Sequence, residues 1–230
     1  MSTTSPNVAL LEREMYSEAE AARLLKVSQS VLAYWLNGGE RAGRTYAPII
    51  RTQPRAGRPP VTWAEFVEAG LLRAYRREHQ VPMSELRAFI TILREQFGVP
   101  YPLADRRPYV SGRELVLEAQ DRAGLGADFC LVATVRGETL LTPASEAFYE
   151  RVRWDGDVAA GWRPHDDSDS PVIIDPDQRF GRPNVSGIST EVIWEHQDAG
   201  ESSDEIAAAS DIGLSDVTWA LAYETTSRAA

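Results

Sequence analysis

Ser28, Gln29 and Ser30 follow directly on a short apolar segment, and side chains of these types can read nucleic acid. A glutamine amide can bond the edge of an adenine, and serine hydroxyls can bond bases or phosphate. Basic residues lie on either side, namely Arg23, Lys26, Arg41 and Arg44, with Tyr34 as a further phosphate donor. Arg51, Arg55 and Arg58 come next, in a Gly/Pro-rich stretch suited to a neighbouring groove or backbone. Each contact from Lys or Arg to phosphate would bring salt dependence through counterion release. Catalytic chemistry finds less support. The chain has no Gly-rich phosphate loop and no nucleophile elbow, and His79 and His196 lack a triad partner set. His165, Asp166, Asp167 and Asp169 are of metal-ligand types, but their Ser/Asp-rich surroundings read as a linker. Cys130 sits in an apolar run and reads as core. The expectation is a protein without enzyme activity, cofactor or metal.

The composition is that of an ordinary globular chain: 230 residues, 43% hydrophobic and 25% charged. No apolar run is long enough to span a membrane, and the N-terminal stretch lacks the basic-then-apolar pattern of a secretory signal. A single cysteine excludes an intrachain disulfide, and a reducing, cytoplasmic home is the simplest reading. The net charge of −10 argues against a protein that coats nucleic acid uniformly. It is unevenly divided, with +4 over residues 1–110 and −14 over residues 111–230. Such halves suit different partners, a polyanion for the first and a basic protein for the second.

Several elements must position these residues. Ser17 and Glu20 have capping-box spacing, so a helix starts at Glu18, with Ala21, Ala22, Leu24 and Leu25 on its apolar face. Ser28 caps a second helix to about Leu36, buried through Val31, Leu32, Trp35 and Leu36, and Asn37-Gly38-Gly39 ends it. Strand-like pieces at Tyr46 to Thr52 and Pro60 to Thr62 frame a wing with its tip at Gln53 to Pro59. Thr62 and Glu65 cap a third helix carrying Trp63, Phe66, Val67 and Leu71, and a fourth runs from Pro82 to Gly98. The proline-rich Val99 to Pro108 reads as a boundary, 109–142 as short strands including Leu115 to Leu117, and Asp155 to Pro171 as a linker. The last unit holds a short strand at Val172 to Ile174, a helix from about Thr190, one opened by a Ser202/Glu205 capping box, and a last one with Ser215 as its candidate cap.

Two resemblances rest on these segments. Tyr16 to Ser28, followed by Val31-Leu32-Ala33-Tyr34-Trp35, resembles the opening of a MerR-type winged helix-turn-helix. Val61 to Val67 and Val81 to Arg87 are similar to the elements that follow the wing in that family, so the likeness covers about residues 15–98. The chain departs from the metal-sensing members in having no cysteine cluster. Ile174-Asp175-Pro176, Gly181-Arg182-Pro183 and Val185 to Ser189 resemble domain-of-unknown-function family four-three-three, over about residues 172–226. Gly187 is followed here by Ile188-Ser189, where that family's pattern carries an arginine. The two together resemble a VapB-like type II antitoxin. The resemblance implies a partner, a cognate PIN-like ribonuclease toxin, and a second ligand, operator DNA. Arg179, Arg182, Trp194 and Trp219 are the toxin-binding candidates, an arginine being able to pair with a nuclease's acidic metal ligands.

The expected fold is α+β and mainly helical. Its parts are a winged helix-turn-helix over 1–98, a β-containing middle with a linker over 99–171, and a three-helix toxin-binding domain over 172–230. The expected function is toxin neutralisation with repression of the operon, by a homodimer matched to palindromic half-sites. Two alternatives stay open. One is a stand-alone MerR-type regulator whose second half senses a small ligand, with a pocket in 109–153. The other is an excisionase-like architectural protein.

Overall fold

A buried stretch of one helix organises the first half of the chain. The computed structural model describes residues 6–41, 43–52, 55, 57, 59–78, 83–125, 131–135, 138–165, 167 and 169–229. They form an α+β fold of mainly helical elements and small sheets, in two compact units. The first comprises residues 1–150 and 154–159, the second residues 151–153 and 160–230.

The first unit opens with α1 (Pro6–Leu11), β1 (Glu14–Tyr16), α2 (Glu18–Leu24) and α3 (Gln29–Asn37). A hairpin of β2 (Gly39–Arg41) and β3 (Arg44–Tyr46) follows, then β4 (Val61–Thr62), which runs antiparallel to β1. Next come α4 (Trp63–Glu78) and α5 (Met83–Phe97). From Trp63 to Leu72 every residue of α4 is buried, so no face of that stretch meets water. Such a helix belongs at the centre of a core. Phe66 packs on Tyr16 and Trp63, and the Trp63 indole N–H donates to Ala159 O at 2.7 Å. Beyond a 3-10 turn at Pro102–Ala104 lie α6 (Arg107–Val110), α7 (Arg113–Ala123), the hairpin of β5 (Val132–Val135) and β6 (Glu138–Leu141), and α8 (Pro143–Arg151).

Burying α4 all round also buries Glu65 and Glu68, and each is answered by an arginine. Arg51, 2% exposed, donates to both Glu65 carboxylate oxygens at 2.9 and 3.1 Å. It also donates to the Asn37 side-chain oxygen and to Pro60 O, and lies 3.9 Å from Glu18. Asn37 in turn donates to Glu18 at 2.7 Å. One guanidinium thus joins the start of α2, the end of α3, the loop and α4. Glu65 completes the capping box, with Thr62 N–H donating to its carboxylate and Glu65 N–H donating to the Thr62 hydroxyl. Glu68 accepts from Leu103 N–H and lies 3.7 Å from Arg94, which also donates to Ile49 O and Ile50 O. Burial dominates at Glu68 and raises its pKa to about 7.

A five-stranded sheet has the order β11-β10-β9-β8-β7, from β7 (Val152–Asp155), β8 (Val158–Trp162), β9 (Ile173–Ile174), β10 (Pro183–Val185) and β11 (Ile188–Ser189). Trp162 faces Ile174, which faces Pro183, all antiparallel. Three helices complete the second unit: α9 (Thr190–Asp198), α10 (Ser203–Ser210) and α11 (Leu214–Arg228). Their core joins Val172 and Val185 to Ile193, Ile206, Val217, Ala220 and Tyr223. A complete Ser202/Glu205 capping box starts α10, and its two bonds from Ser202 hold the Glu205 carboxyl below the usual range.

Four expectations are corrected. The expected wing does not form: residues 47–52 are not a strand, the hairpin lies earlier, at β2–β3, and the strand Val61–Thr62 is present but pairs with β1. Gly38, at φ +72°, makes this possible: a Cβ there would sit 2.2 Å from Tyr46 O. The stretch after it is a plug, with Pro48 to Arg51 buried in succession and the N–H groups of Ile49 and Ile50 donating to Trp35 O. The run Leu115 to Leu117 is helical. Val116, Ala119 and Gln120 are buried at spacings of three and four while Leu115 is exposed, and Gln120 bonds the Val132 backbone in both directions. The stretch 155–171 is more than a linker, because β8 is buried at every residue. Its Ala-Ala-Gly centre lacks large side chains; a Cβ on Gly161 would lie 3.1 Å from the Ile173 side chain. The last helix begins at Leu214 with Gly213 as its cap, not at Ser215.

Replacing Arg51 by alanine strands the buried Glu65 carboxylate. Urea unfolding of Arg51→Ala should show a loss of about 3–5 kcal/mol; a loss below about 1 kcal/mol would show that the guanidinium is not a structural tie. For Glu68, the folded pKa of about 7 lies above the ordinary glutamate value of 4.5. Folding therefore takes up a proton in that window. Its stabilising effect is full below pH 4.5 and is lost as pH rises through about 7. The difference in unfolding free energy between the wild type and Glu68→Gln should change by roughly 3 kcal/mol across that window.

Candidate functional site

The candidate DNA-reading surface is built by two caps and one turn. Ser17 accepts from Glu20 N–H and starts α2. Leu25 to Ser28 turns the chain, with Lys26 in the left-handed region at φ 51°. Ser28 then accepts from Val31 N–H at 3.3 Å and starts α3. On α3, Leu32, Trp35 and Leu36 are buried, which leaves Gln29 and Ser30 exposed beside Ser28 at its N-terminal end. The free N–H groups of a helix start give that end a partial positive charge. The Ser28 and Ser30 hydroxyls lie 3.2 Å apart.

The cationic candidates separate by role. Arg23 is exposed on α2 and Arg44 on β3, whereas Lys26 is half-buried in the turn. Arg41 is paired with Arg44 across the hairpin backbone. Arg55 lies 3.7 Å from buried Glu65, with its side chain 40% exposed, so the buried carboxylate attracts it. Arg51 belongs to the core network, not to a groove-facing tip. Arg58, His79 and Cys130 lie outside the described residues. Tyr34 is half-buried and meets Tyr46 edge-on at 6.3 Å. Its hydroxyl accepts from Arg87 at 3.5 Å, and the Arg87 guanidinium lies 5.6 Å from the Tyr46 ring. Arg87 is a residue that sequence reasoning missed as a site candidate. The signal was its place in a helix that the same resemblance covered, but only folding brings it to α3.

The candidates in the second unit are held by intrachain bonds. Arg179 donates to Gly187 O and Arg182 to Glu191 at 3.1 Å. Trp194 is half-buried with the Arg228 guanidinium 5.1 Å from its ring, and Trp219 is half-buried with His165 edge-on at 5.3 Å. His165 Nδ1 accepts from Asp167 N–H. Among the described residues no group of three or more His, Cys, Asp or Glu is placed to hold a metal ion, and no helix is long and apolar enough to cross a membrane.

This arrangement has known relatives. Residues 172–223 match the family described as "Protein of unknown function (DUF433)". The chain is 34% identical to "Uncharacterized protein Rv2308" of Mycobacterium tuberculosis, over 94% of this chain and 89% of that one. It is 30% identical to "Putative antitoxin VapB45" of the same organism, over 77% of this chain and 79% of that one. The chain belongs to the family of these two mycobacterial proteins, one of which carries an antitoxin name. The fold is also that of the crystal structure of Rv2018 from Mycobacterium tuberculosis, with a TM-score of 0.75 and 24% identity over 92% of this chain and 99% of that one.

The cap at Ser28 can be separated from the exposed residue beside it. Ser28→Ala should lower stability by about 1 kcal/mol in thermal unfolding, whereas Ser30→Ala should leave it within about 0.5 kcal/mol. Equal effects would show that Ser28 does not start α3.

Proposed function

We propose that the chain is a type II antitoxin that binds a ribonuclease toxin of the PIN-like kind and represses its own operon as a homodimer. One observation carries the DNA half of this reading. Gln29 and Ser30 stand exposed at the start of a short helix whose opposite face is locked into the core, with a second helix braced against it through a four-residue turn. That is what a recognition helix requires: rigid backing and polar side chains free to meet base edges. Arg23 on α2 and Arg44 on the β2–β3 hairpin supply charge for flanking phosphates, and the hairpin takes the place of a wing after the second helix. The reading thus follows the MerR-type winged helix-turn-helix, with the wing formed by residues 39–46. Kinship with a protein named as an antitoxin supports the toxin half, as does the acidic balance of residues 111–230, which suits a basic RNA-binding surface. No reaction is assigned to the chain itself.

The apolar hollow between two helices of the first unit lends no support to a ligand-sensing regulator. It lies between α4 and α5, is bordered by Leu72, Leu86, Phe89, Ile90 and Leu131, and measures about 10 Å³. That is room for a single water and not for a metabolite.

Co-expression with the adjacent open reading frame, followed by mass measurement, should yield a stable complex that shifts its own promoter fragment. Gln29→Ala should relax preference at one base position. Arg44→Ala should weaken all sequences alike and reduce the salt slope by about one. A chain that elutes alone, or that ignores the promoter at low salt, would refute the corresponding half of the proposal.

A further inference from the structure

The most exposed large apolar side chain among the described residues is held where the backbone least favours it. Phe180 is 91% exposed, whereas the other exposed large apolar residues, Val110, Leu115, Val192 and Leu214, reach only 42–47%. Arg179, Phe180 and Gly181 are all left-handed, at φ 47°, 55° and 71°. Glycine takes that conformation freely, but each L side chain there costs about 1–2 kcal/mol. An exposed phenylalanine at such a position gains nothing for folding.

The turn is nevertheless firmly built. Asp175 is buried, accepts from Asp177 N–H at 2.8 Å and pairs with Arg153 at 2.9 Å. Gly181 N–H donates to Gln178 O, and Arg182 N–H donates to Arg179 O. Side-chain bonds then tie the turn to its neighbours. Arg179 reaches Gly187 O, Ser186 beside it donates to Asp216 in α11, and Arg182 pairs with Glu191 in α9. The first turns of those two helices carry Leu214 and Val192, the other exposed large apolar residues of this unit. Phe180 is thus the summit of a surface braced to the starts of α9 and α11.

We propose that this surface is the docking face for the toxin, and that Phe180 inserts into an apolar socket within a basic face of that protein. The inference rests on the antitoxin reading and names the residue at its centre. Charge selects the occupant. The second unit carries 14 carboxylates and 6 arginines, so as a whole it repels a second copy of itself and attracts a basic protein. Backbone strain kept at an exposed aromatic residue matches the anchors that dominate binding energy at protein interfaces.

The test titrates full-length chains against the protein encoded by the adjacent open reading frame. Phe180→Ala should weaken binding at least about 30-fold, the scale of an interface hot spot, while Phe180→Trp stays within about threefold as an aromatic replacement for the same socket. Phe180→Gly should lose binding while its Tm rises, because glycine relieves the strain. Wild-type affinity should fall with added salt. Undiminished binding by Phe180→Ala, or salt-independent affinity, overturns the inference and leaves the antitoxin reading standing. So does a loss of self-association in Phe180→Ala with toxin binding intact, which would assign the face to a second copy. A wild-type chain that does not bind at all overturns both.

Discussion

The pairing of Arg51 with Glu65 is the constraint on which the first unit depends. It follows from a choice made in α4, where a helix buried on every face carries two carboxylates. A carboxylate in such a place must be paired or neutralised. Both solutions are present, since Glu65 is matched by the fork of Arg51 while Glu68, with the more distant Arg94, is pushed toward its neutral form. Because the guanidinium that answers Glu65 comes from the stretch after the hairpin, Pro48 to Arg51 are anchored in the core. The guanidinium's remaining donors and the Asn37–Glu18 bond fix the two short helices to the same point.

That tie also explains how a helix of nine residues can hold a fixed position with a polar end exposed. Isolated helices of this length are marginal in water. α3 holds through the Ser28 cap, through Leu32, Trp35 and Leu36 in the core, and through Asn37 at its far end. Every fixed point lies on one side or at an end, so Gln29 and Ser30 remain exposed. Tyr34, a candidate phosphate contact, joins Tyr46 and Arg87 in a small aromatic and cationic cluster beside α3. The second unit follows another logic. Its core is apolar, and although Ser186 and Asp211 are also left-handed, only the turn at 179–181 sets a large exposed apolar side chain in that conformation.

Much of this was legible in the sequence. The starts of α2 and α3 and the capping boxes at Thr62/Glu65 and Ser202/Glu205 are local matters. Each is fixed by neighbours three or four residues away. The candidate reading residues were legible for the same reason, since exposure on α3 follows from which of its residues are apolar. The errors cluster where burial is set by distant partners. Leu115-Val116-Leu117 has the composition of a strand, yet only one of its three residues meets the core. Val158 to Trp162 has the small residues of a linker, yet it is enclosed on all sides.

What the sequence determined by itself is therefore the set of local elements, the polar end of α3 and the uneven division of charge, because periodicity, caps and charge are written along the chain. Only the tertiary structure decided that Arg51 is a core residue and not a groove contact, that Arg87 belongs beside Tyr34, and that Phe180 is displayed on a braced left-handed turn. An arginine's role depends on which carboxylate lies within reach, and a phenylalanine's on whether the backbone turns it toward the core or toward water. Both are set by residues far away along the chain, which spacing cannot express.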